Sequence, residues 1–352
     1  MNEFVRAVRL DDVDPLLEMI GSVTPGLTTL MLDRPRLLER VERSHFAFNK
    51  KSEAASGEPY VLVMEDGETG RLIGTSTVYG KTGGYEPFYA YRVVTTTHNC
   101  PQLNVLNRKR VSLHLQRIYD GPTEIGSLFL LPEYRGEGRG RLLSLCRFSL
   151  LAQRPHRFAQ RVIAEMRGQC DTNGVSPFWE AVMRPFFEVD FPVADALSTV
   201  SKPFIEELIP QYPIYLDLIA ESARQVIGQV HRETQPAVKL LGDEGFVATE
   251  MVDIFDAGPI LQCETSNIHA VKRCRKCRVA SIGVSLNATG TIVASLRDGF
   301  RGCFAEVETV ETVESDASVR ISPDTADKLG VACGDMIWCM PPRPLPQRAD
   351  RS

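Results

Sequence analysis

The segment EIGSLFLLPEYRGEGRGRLLS, residues 124–144, joins an apolar strand to an apolar helix through a glycine-rich turn. The pattern predicts the strand at 125–130 and the helix at about 140–152. Glycines let a backbone approach a ligand closely, and the first N–H groups of a helix attract anions. The turn therefore predicts a pyrophosphate site, although an ordinary strand-to-helix turn can have the same composition. It has the spacing R-x-x-G-x-G, and its candidate binding residues are Arg135, Gly136, Gly138, Arg139 and Gly140.

Two common nucleotide-binding loops do not fit this turn. A phosphate loop of the nucleotide-hydrolase type needs G-K-S or G-K-T, which residues 136–144 lack. A dinucleotide fingerprint places its first glycine directly after a strand, within repeated βαβ units. Here the preceding segment 59–80 instead reads as two strands joined by a short turn, which is an antiparallel hairpin.

Short strands and helices alternate along the rest of the chain. A strand and a helix are predicted within 4–21, a further strand at 111–116 and another at 161–168. From Thr265 onward, glycine, serine and threonine alternate with short β-branched runs, which indicates a small β-rich region. A helix is also predicted from Ser176, with a buried face formed by Trp179, Val182, Met183 and Phe186.

Composition limits the class of protein. The chain has 352 residues, 43% of them hydrophobic, so about two domains with sizeable cores are expected. The net charge of −5, without a long basic run, argues against nucleic acid as a partner. No apolar run approaches the roughly 20 residues that span a bilayer, and the start lacks the apolar region of a signal peptide. Nine scattered cysteines fit reduced thiols, so we expect a cytoplasmic protein without membrane contact.

The order strand, helix, hairpin, strand, R-x-x-G-x-G, helix, strand, helix resembles the GNAT acyltransferase superfamily. The resemblance implies an α/β (α+β) fold with a mixed, mainly antiparallel sheet flanked by helices. It also implies that the turn holds the pyrophosphate of coenzyme A, and that the backbone of Leu128, Phe129 and Leu130 hydrogen-bonds the pantetheine arm.

Further segments narrow the resemblance to the arginine N-succinyltransferase family. These segments include EPFYAYRV (86–93), LFLLPEYRGEGRGRLLS (128–144), VIAEMRG (162–168), GVSPFW (174–179), VIGQVH (226–231) and DIFDAGPILQCE (253–264). The resemblance implies succinyl transfer from succinyl-CoA to the α-amine of L-arginine, with no permanently bound cofactor. It further implies a homodimer or a hetero-oligomer with a related subunit.

The sequence pattern and the family resemblance together predict the domain organisation. An acyltransferase domain is predicted at 1–262, with a second half-unit around 225–262. A small β-rich domain is predicted at 263–342 and a disordered tail at 343–352.

Candidate site residues follow from the resemblance and from the chemistry. His231 matches the position of the family's proton donor, although Arg232 follows it where family members typically have proline, and this cation would disfavour protonation of the ring. His98 matches a recurring family position and would contact substrate or satisfy a backbone carbonyl. Glu165 and Arg167 leave the same face of a predicted strand and form a candidate pair for arginine's guanidinium and α-carboxylate.

Other assignments stay open at this stage. Asp253 and Asp256 are alternative partners for the guanidinium, and Arg92 is a candidate for the succinyl carboxylate. Ornithine as the acceptor, or a weakly active partner subunit, are alternative functions. The spacing C-x5-H-x4-C-x2-C has ligand types that suit zinc, and its four side chains are Cys263, His269, Cys274 and Cys277. Free thiols on an exposed linker explain the same spacing, and no metal is predicted.

Overall fold

One sheet runs through the computed structural model, which describes residues 2–21, 32–84, 86–171, 174–198, 202–283, 289–310 and 317–341. Its strands are β1 (Phe4–Ala7), β2 (Pro59–Glu65), β3 (Leu72–Tyr79), β4 (Phe88–Cys100), β5 (Val105–Ile118), β6 (Thr123–Leu130), β7 (Arg161–Glu165), β8 (Ile214–Tyr215), β9 (Val247–Val252), β10 (Pro259–Glu264), β11 (Arg275–Ile282), β12 (Thr289–Ser295), β13 (Arg301–Val310), β14 (Ser318–Ile321) and β15 (Met336–Met340).

Helices pack against this sheet. They are α1 (Val13–Gly21), α2 (Arg34–Asn49), α3 (Arg139–Gln153), α4 (Arg184–Phe187), α5 (Phe191–Ser198), α6 (Pro203–Leu208), α7 (Glu221–Val226), α8 (Gln235–Asp243), α9 (His269–Arg273) and α10 (Pro323–Leu329). Within the described ranges, no helix combines the length and the apolar character needed to cross a membrane.

The strand order is β12-β15-β11-β14-β13-β1-β2-β3-β6-β7-β10-β9-β4-β5-β8. Neighbouring strands are antiparallel except for β6 with β7 and β11 with β14. The predicted α/β class with a mixed, mainly antiparallel sheet is therefore confirmed. The predicted hairpin is also present, because β2 pairs antiparallel with β3 from Pro59 to Glu65.

The C-terminal strands continue the same sheet. β13 pairs antiparallel with β1, from Phe4 opposite Cys303 to Arg6 opposite Arg301. The predicted domain boundary at residue 263 falls within β10, and the division into domains stays a prediction. The tail predicted at 343–352 lies outside the described residues.

β6 and β7 run parallel but separate after two pairs, Thr123 with Val162 and Glu124 with Ile163. On its other side β6 stays paired with β3, where the register shifts between Gly126 and Phe129. Ser127 lies in this bulge with a φ of 50°. Because a bulge bends its strand and increases the local twist, it accounts for the divergence of β6 from β7. The sheet therefore opens at the carboxyl ends of these two strands.

Helix α3 packs against the sheet beside this opening. Every side chain from Leu142 to Leu151 is buried, because the C-terminal strands cover the helix face that the first strands leave free. Leu143 lies against Gly74 of β3, Cys146 against Gly302 of β13, and the ring of Phe148 is 5.9 Å from that of Phe246.

The helix predicted from Ser176 differs from the expectation. The N–H of Arg184 bonds the carbonyl of Trp179, which closes a π-helical turn over Trp179–Met183. A π turn accommodates one extra residue, so the side chains that follow rotate relative to an α-helix. Phe187 is therefore buried, with 6% exposure, whereas Phe186, predicted on the buried face, is 48% exposed.

A second difference concerns the segment before β6. The strand predicted at 111–116 is the middle of β5, which pairs with β4 over nearly its whole length. The polar and aromatic stretch at 88–100, for which no element was predicted, forms β4. The hairpin extends beyond the neighbouring β9, since Tyr91 and Arg92 are the residues of β4 that pair with β9 in the described part of the chain.

Candidate active site

The opening between β6 and β7 exposes backbone in the middle of the sheet. Gly126, Ser127 and Leu128 remain half-buried there, although strands lie on both sides. In the described part of the chain, residues 125–130 pair with β3 alone, since the β7 pairing ends at Glu124. The backbone groups that point away from β3 are thus directed at the opening. The predicted pantetheine contacts at Leu128, Phe129 and Leu130 lie on this strand.

The glycine turn lies at the mouth of the opening, between the end of β6 and the start of α3. Three successive residues have left-handed backbone angles, with φ of 117° at Gly136, 48° at Glu137 and 81° at Gly138. Glycine adopts such angles without steric cost. The first N–H groups of α3 have no acceptor within the helix, and that of Arg139 donates to the carbonyl of Gly136 in the turn at 3.1 Å. This geometry suits a phosphate group.

The two arginine side chains of the turn hold its shape. Arg135 Nε donates to the carbonyl of Leu130 over 3.4 Å, which links the turn to the end of β6. Arg139 pairs with Glu3 at 2.5 Å and with Glu137 at 2.8 Å. These contacts orient Arg139 toward β1, so its side chain fixes the turn, and the backbone remains the part that faces the opening.

His231 is held beside the carboxyl end of β7. Its N–H donates to the carbonyl of Arg167 over 2.8 Å, and the preceding Val230 forms a β-bridge with Gly168. Its Nδ1 accepts the backbone N–H of Glu233 at 3.3 Å, so the neutral ring carries its proton on Nε2. Burial lowers the pKa of His231 and the nearby Arg167 guanidinium lowers it further, whereas Glu233 raises it. Arg232, the cation suspected from sequence, is exposed.

Two acidic side chains face the same side of the opening. Glu124 lies opposite Ile163, two residues before Glu165, and residues two apart on a strand share a face. Both are half-buried, and neither carboxylate has a hydrogen bond or an ion pair among the described residues. Burial raises the pKa of Glu165 well above its ordinary range, the charge of Glu124 raises it further, and Lys202 opposes this effect.

Asp253 and Asp256 belong to the turn between β9 and β10. Asp253 Oδ1 accepts the N–H groups of Phe255 at 2.7 Å and of Asp256 at 2.9 Å. Asp256 accepts from Gly168 at 2.7 Å and from Gly258 at 2.8 Å. These bonds use carboxylate oxygens to hold the turn against the end of β7. Glu165 has no such role, which distinguishes it from the two aspartates.

Arg92 and His98 lie elsewhere. β4 is the third strand beyond β7, about 14 Å away at ordinary strand spacing. Arg92 is exposed and pairs with Glu250 at 3.1 Å. His98 lies on the outer part of the hairpin, with Nε2 2.9 Å from Thr96 Oγ1. The structure brings Glu165, Arg167 and His231 together at the end of the sheet that carries the glycine turn, and it does not bring Arg92 or His98 there.

The four side chains with zinc-ligand chemistry do not converge on one point. Cys263 and His269 both lie near Gly245, and Cys274 is 3.9 Å from Ser149 Oγ. Cys277 Sγ donates to the carbonyl of Arg275 at 3.7 Å. In the part of the chain that the structure describes, no three metal-ligating side chains form a group.

Three buried or half-buried charged residues were not among the sequence candidates. Glu124 is separated by 41 residues from Glu165, and Lys202 comes from the segment before α6, so their proximity depends on the fold. A recess of about 430 Å³ lies on the Lys202 side, with Tyr89 and Glu206 in its wall. The third residue, Arg147, had a sequence signal, because it is the sole charge within the apolar run 142–152.

The chain is similar in sequence and in fold to known succinyltransferases. A family model described as "Arginine N-succinyltransferase beta subunit" matches residues 3–270. The chain is 37% identical over 334 residues to an arginine N-succinyltransferase of Yersinia enterocolitica, covering 95% of this chain and 96% of that one. It is 40% identical over 278 residues to one of Salmonella typhi, covering 78% and 80%. The solved structure of "arginine/ornithine succinyltransferase subunit AI from Pseudomonas aeruginosa" matches with a TM-score of 0.85 and 28% identity, covering 96% of this chain and 98% of that one.

Proposed function

Because the chain belongs to the arginine N-succinyltransferase family, we propose that it transfers the succinyl group of succinyl-CoA to the α-amine of L-arginine. The products are N2-succinylarginine and coenzyme A. One observation carries the assignment to this site: the sheet opens between β6 and β7, with the glycine turn at the mouth of the opening and His231 tied to the end of β7.

The donor binds along β6. The pyrophosphate of coenzyme A contacts the backbone of the turn at Gly136–Gly140, where the helix dipole of α3 favours negative charge. The pantetheine amides hydrogen-bond the free edge of β6 at Leu128–Leu130, which has strand pairing on one side only. Such contacts depend on backbone geometry, so they tolerate different side chains on this strand. No resident cofactor is required.

The reaction needs two proton movements. The amine of arginine attacks the thioester carbonyl after losing a proton, and the thiolate of coenzyme A leaves as the tetrahedral intermediate collapses. His231 is the proton donor to that thiolate. Donation takes place from the imidazolium, which becomes the neutral ring as the thiolate becomes a thiol, and the proton lost by the amine supplies the second proton of the ring. In the neutral ring Nδ1 accepts the N–H of Glu233, so Nε2 is the nitrogen left for the reacting groups.

The acceptor binds at the end of β7. Glu165 pairs with the guanidinium of the substrate, since its carboxylate has no protein partner among the described residues and its pKa is raised by burial and by Glu124. Arg167 binds the α-carboxylate, and its proximity to His231 brings the α-amine toward the reacting centre. Neither assignment involves Arg92 or His98.

Ornithine is the second candidate acceptor. The solved relative from Pseudomonas aeruginosa is described as an arginine/ornithine succinyltransferase subunit. Ornithine has the same α-amino acid group, and its terminal ammonium also pairs with a carboxylate such as Glu165. The geometry of a fork-shaped guanidinium favours arginine, because two parallel hydrogen bonds need a carboxylate with both oxygens free.

We further propose that the chain acts in the cytoplasm and assembles with a second copy or a related subunit. Each of the nine cysteines is a free thiol, which fits a reducing compartment. The outer part of the β4–β5 hairpin exposes Leu103 and Leu106, and an isolated two-stranded hairpin is only marginally stable in water. Light scattering of the purified protein, compared with Leu106→Asp, tests whether this arm holds an oligomer together.

Thiol release tests the activity directly. Purified protein is incubated with succinyl-CoA or acetyl-CoA and with L-arginine or L-ornithine, and the acylated product is identified by mass. We expect thiol release and N2-succinylarginine with succinyl-CoA and arginine. Thiol release with ornithine alone would assign ornithine as the acceptor in place of arginine. No release from a folded protein that still binds coenzyme A would favour a weakly active partner subunit.

A further inference from the structure

Arg147 is a buried cation without an anionic partner in the described protein. It is 3% exposed in the middle of α3, among apolar neighbours. Its Nε donates to the carbonyl of Ser144 at 3.2 Å and its Nη2 to Ser144 Oγ at 2.6 Å. Both acceptors are neutral, and burial lowers the pKa of Arg147 to about 10.

The other buried arginines of the described residues are neutralised by carboxylates. Arg157, 5% exposed, pairs with Glu53 at 2.8 Å. Arg6 pairs with Asp12 and with Glu65, both at 2.6 Å. A buried charge is retained at a cost unless an opposite charge offsets its desolvation. Arg147 has only neutral neighbours among the described residues, the ring of Phe148 with its centroid 5.9 Å from Cζ included, and its charge therefore points to an anion that binds from outside the chain.

The helix geometry gives the direction of the Arg147 side chain. Leu143 faces Gly74 of β3, and the ring of Phe148 faces Phe246, just before β9. At 3.6 residues per turn, Arg147 lies about 40° past Leu143 and about 100° before Phe148. In the sheet order, β6 and β7 come next after β3 on the way to β9. Arg147 is thus directed toward the two strands that separate.

Its depth matches the bulge of β6. Arg147 follows Gly140 by seven residues, about 10 Å along α3. Ser127 precedes Leu130 by three residues, about 10 Å along β6. The chain reverses between the two elements, so both distances run from the glycine turn into the molecule. The bonds to Ser144, one turn earlier, keep the guanidinium on the side of the helix nearer that turn.

Ser76 provides a second polar group in the same layer. It is fully buried, and its Oγ has no hydrogen-bond partner among the described residues. It shares a strand face with Gly74, which lies against α3. Its place on β3 is opposite the bulge, because the register passes from Thr75 with Phe129 to Thr77 with Gly126.

We propose that Arg147, with Ser76 beside it, binds the terminal carboxylate of the succinyl group. This inference rests on the proposed function, in which the donor lies along β6 with its pyrophosphate at the glycine turn. The acyl group then lies deeper than the pantetheine arm, at the bulge. A guanidinium is suited to a carboxylate, and a charge pair in this dry layer is stronger than one at the surface. Arg147 takes the role first considered for Arg92.

Donor selectivity tests the proposal. Butyryl-CoA has the same four-carbon chain as succinyl-CoA without the carboxylate. For Arg147→Met we expect the ratio of kcat/KM for succinyl-CoA to that for butyryl-CoA to fall about 100-fold, as for loss of one partner of a buried charge pair. Ser76→Ala is the milder variant, with a fall of about tenfold. Arg157→Met is the control: it also removes a buried arginine, but one that pairs with Glu53 and has no part in the proposed donor site, so the ratio is expected to stay unchanged.

A purely structural role for Arg147 predicts a different result. Arg147→Met would then lose thermal stability and keep the wild-type ratio, which would overturn the proposal. If Arg147→Met does not fold, an unchanged ratio in Ser76→Ala and in Arg147→Gln together has the same meaning, since glutamine is polar but removes the charge. Failure of the proposed function is seen separately, because the wild-type protein itself would then transfer no succinyl group to arginine.

Discussion

The backbone N–H of His231 donates to the carbonyl oxygen of Arg167 over 2.8 Å, which fixes the histidine at the end of the strand that borders the opening. The two residues are 64 positions apart, and the segment between them contains α4 to α7. The position of His231 therefore depends on the end of β7 and on the backbone, while the ring is free to act on a ligand through Nε2.

Replacement of His231 separates chemistry from binding. We expect His231→Ala to lower kcat about 10²- to 10⁴-fold, the usual contribution of a positioned proton donor. His231→Asn is the matched variant, because asparagine also accepts the backbone N–H of Glu233 and keeps the local turn. Steady-state kinetics and calorimetric titration with coenzyme A measure the two effects. Unchanged turnover in His231→Asn would remove the ring from the mechanism.

Alanine substitutions at two glycines test whether the glycine turn binds coenzyme A or only shapes the backbone. Gly136 has φ of 117° and Gly70, in the β2–β3 turn, has φ of 69°, and an added Cβ meets no atom within 4 Å at either site. Alanine at each position therefore costs stability through backbone strain alone, about 1–2 kcal/mol. Only Gly136→Ala is expected to weaken coenzyme A binding. Equal affinity in the two folded variants would argue against the assignment of the turn.

The π-helical turn predicts which of two neighbouring phenylalanines packs in the core around Trp179. Phe187 packs against Trp179 with ring centroids 5.5 Å apart, whereas Phe186 is largely exposed. We expect Phe187→Ala to lower the free energy of unfolding by about 3–5 kcal/mol and Phe186→Ala by less than about 0.5 kcal/mol. Urea unfolding monitored by tryptophan fluorescence gives both values. A larger loss of stability for Phe186→Ala than for Phe187→Ala would contradict the π turn and indicate a regular α-helix.

Features set by short-range sequence pattern were predictable from the sequence. The strand at 125–130, the glycine turn and the start of α3 all follow from residues within one stretch of about 20. The helix from Ser176 shows the limit of such patterns, because an apolar spacing of i, i+3, i+4 and i+7 does not reveal a π turn. Phe186 and Phe187 are both apolar, so packing alone decides which one is buried.

Features set by contacts between distant segments were not predictable. Glu124 and Glu165 come together because β6 and β7 pair in parallel for two residues and then separate. The bulge at Ser127 that accompanies this separation has no residue signature, since serine is not a typical left-handed residue. Arg147 was visible as a charge within an apolar helix, but its direction follows only from the contacts of Leu143 and Phe148.

The raised pKa of Glu165 has opposite consequences for folding and for substrate binding. A carboxyl group whose folded pKa lies above the unfolded value binds more protons in the folded state, so stability falls as pH rises between the two values. Glu165→Gln removes this loss. We therefore expect the variant to melt at a higher temperature than the wild-type protein at neutral pH without substrate, with the difference shrinking as the pH is lowered toward the ordinary range of a carboxyl.

Arginine binding should show the reverse dependence. The guanidinium pairs with the ionised carboxylate, so binding releases a proton from Glu165 wherever the free group is still protonated, and affinity rises with pH through that raised pKa. Calorimetric titration of L-arginine in two buffers of different ionisation enthalpy measures the released proton. Glu165→Gln should bind arginine more weakly and release fewer protons, whereas Glu250→Gln, which alters the exposed pair with Arg92, serves as the control. Wild-type proton release in Glu165→Gln would assign the guanidinium to another carboxylate.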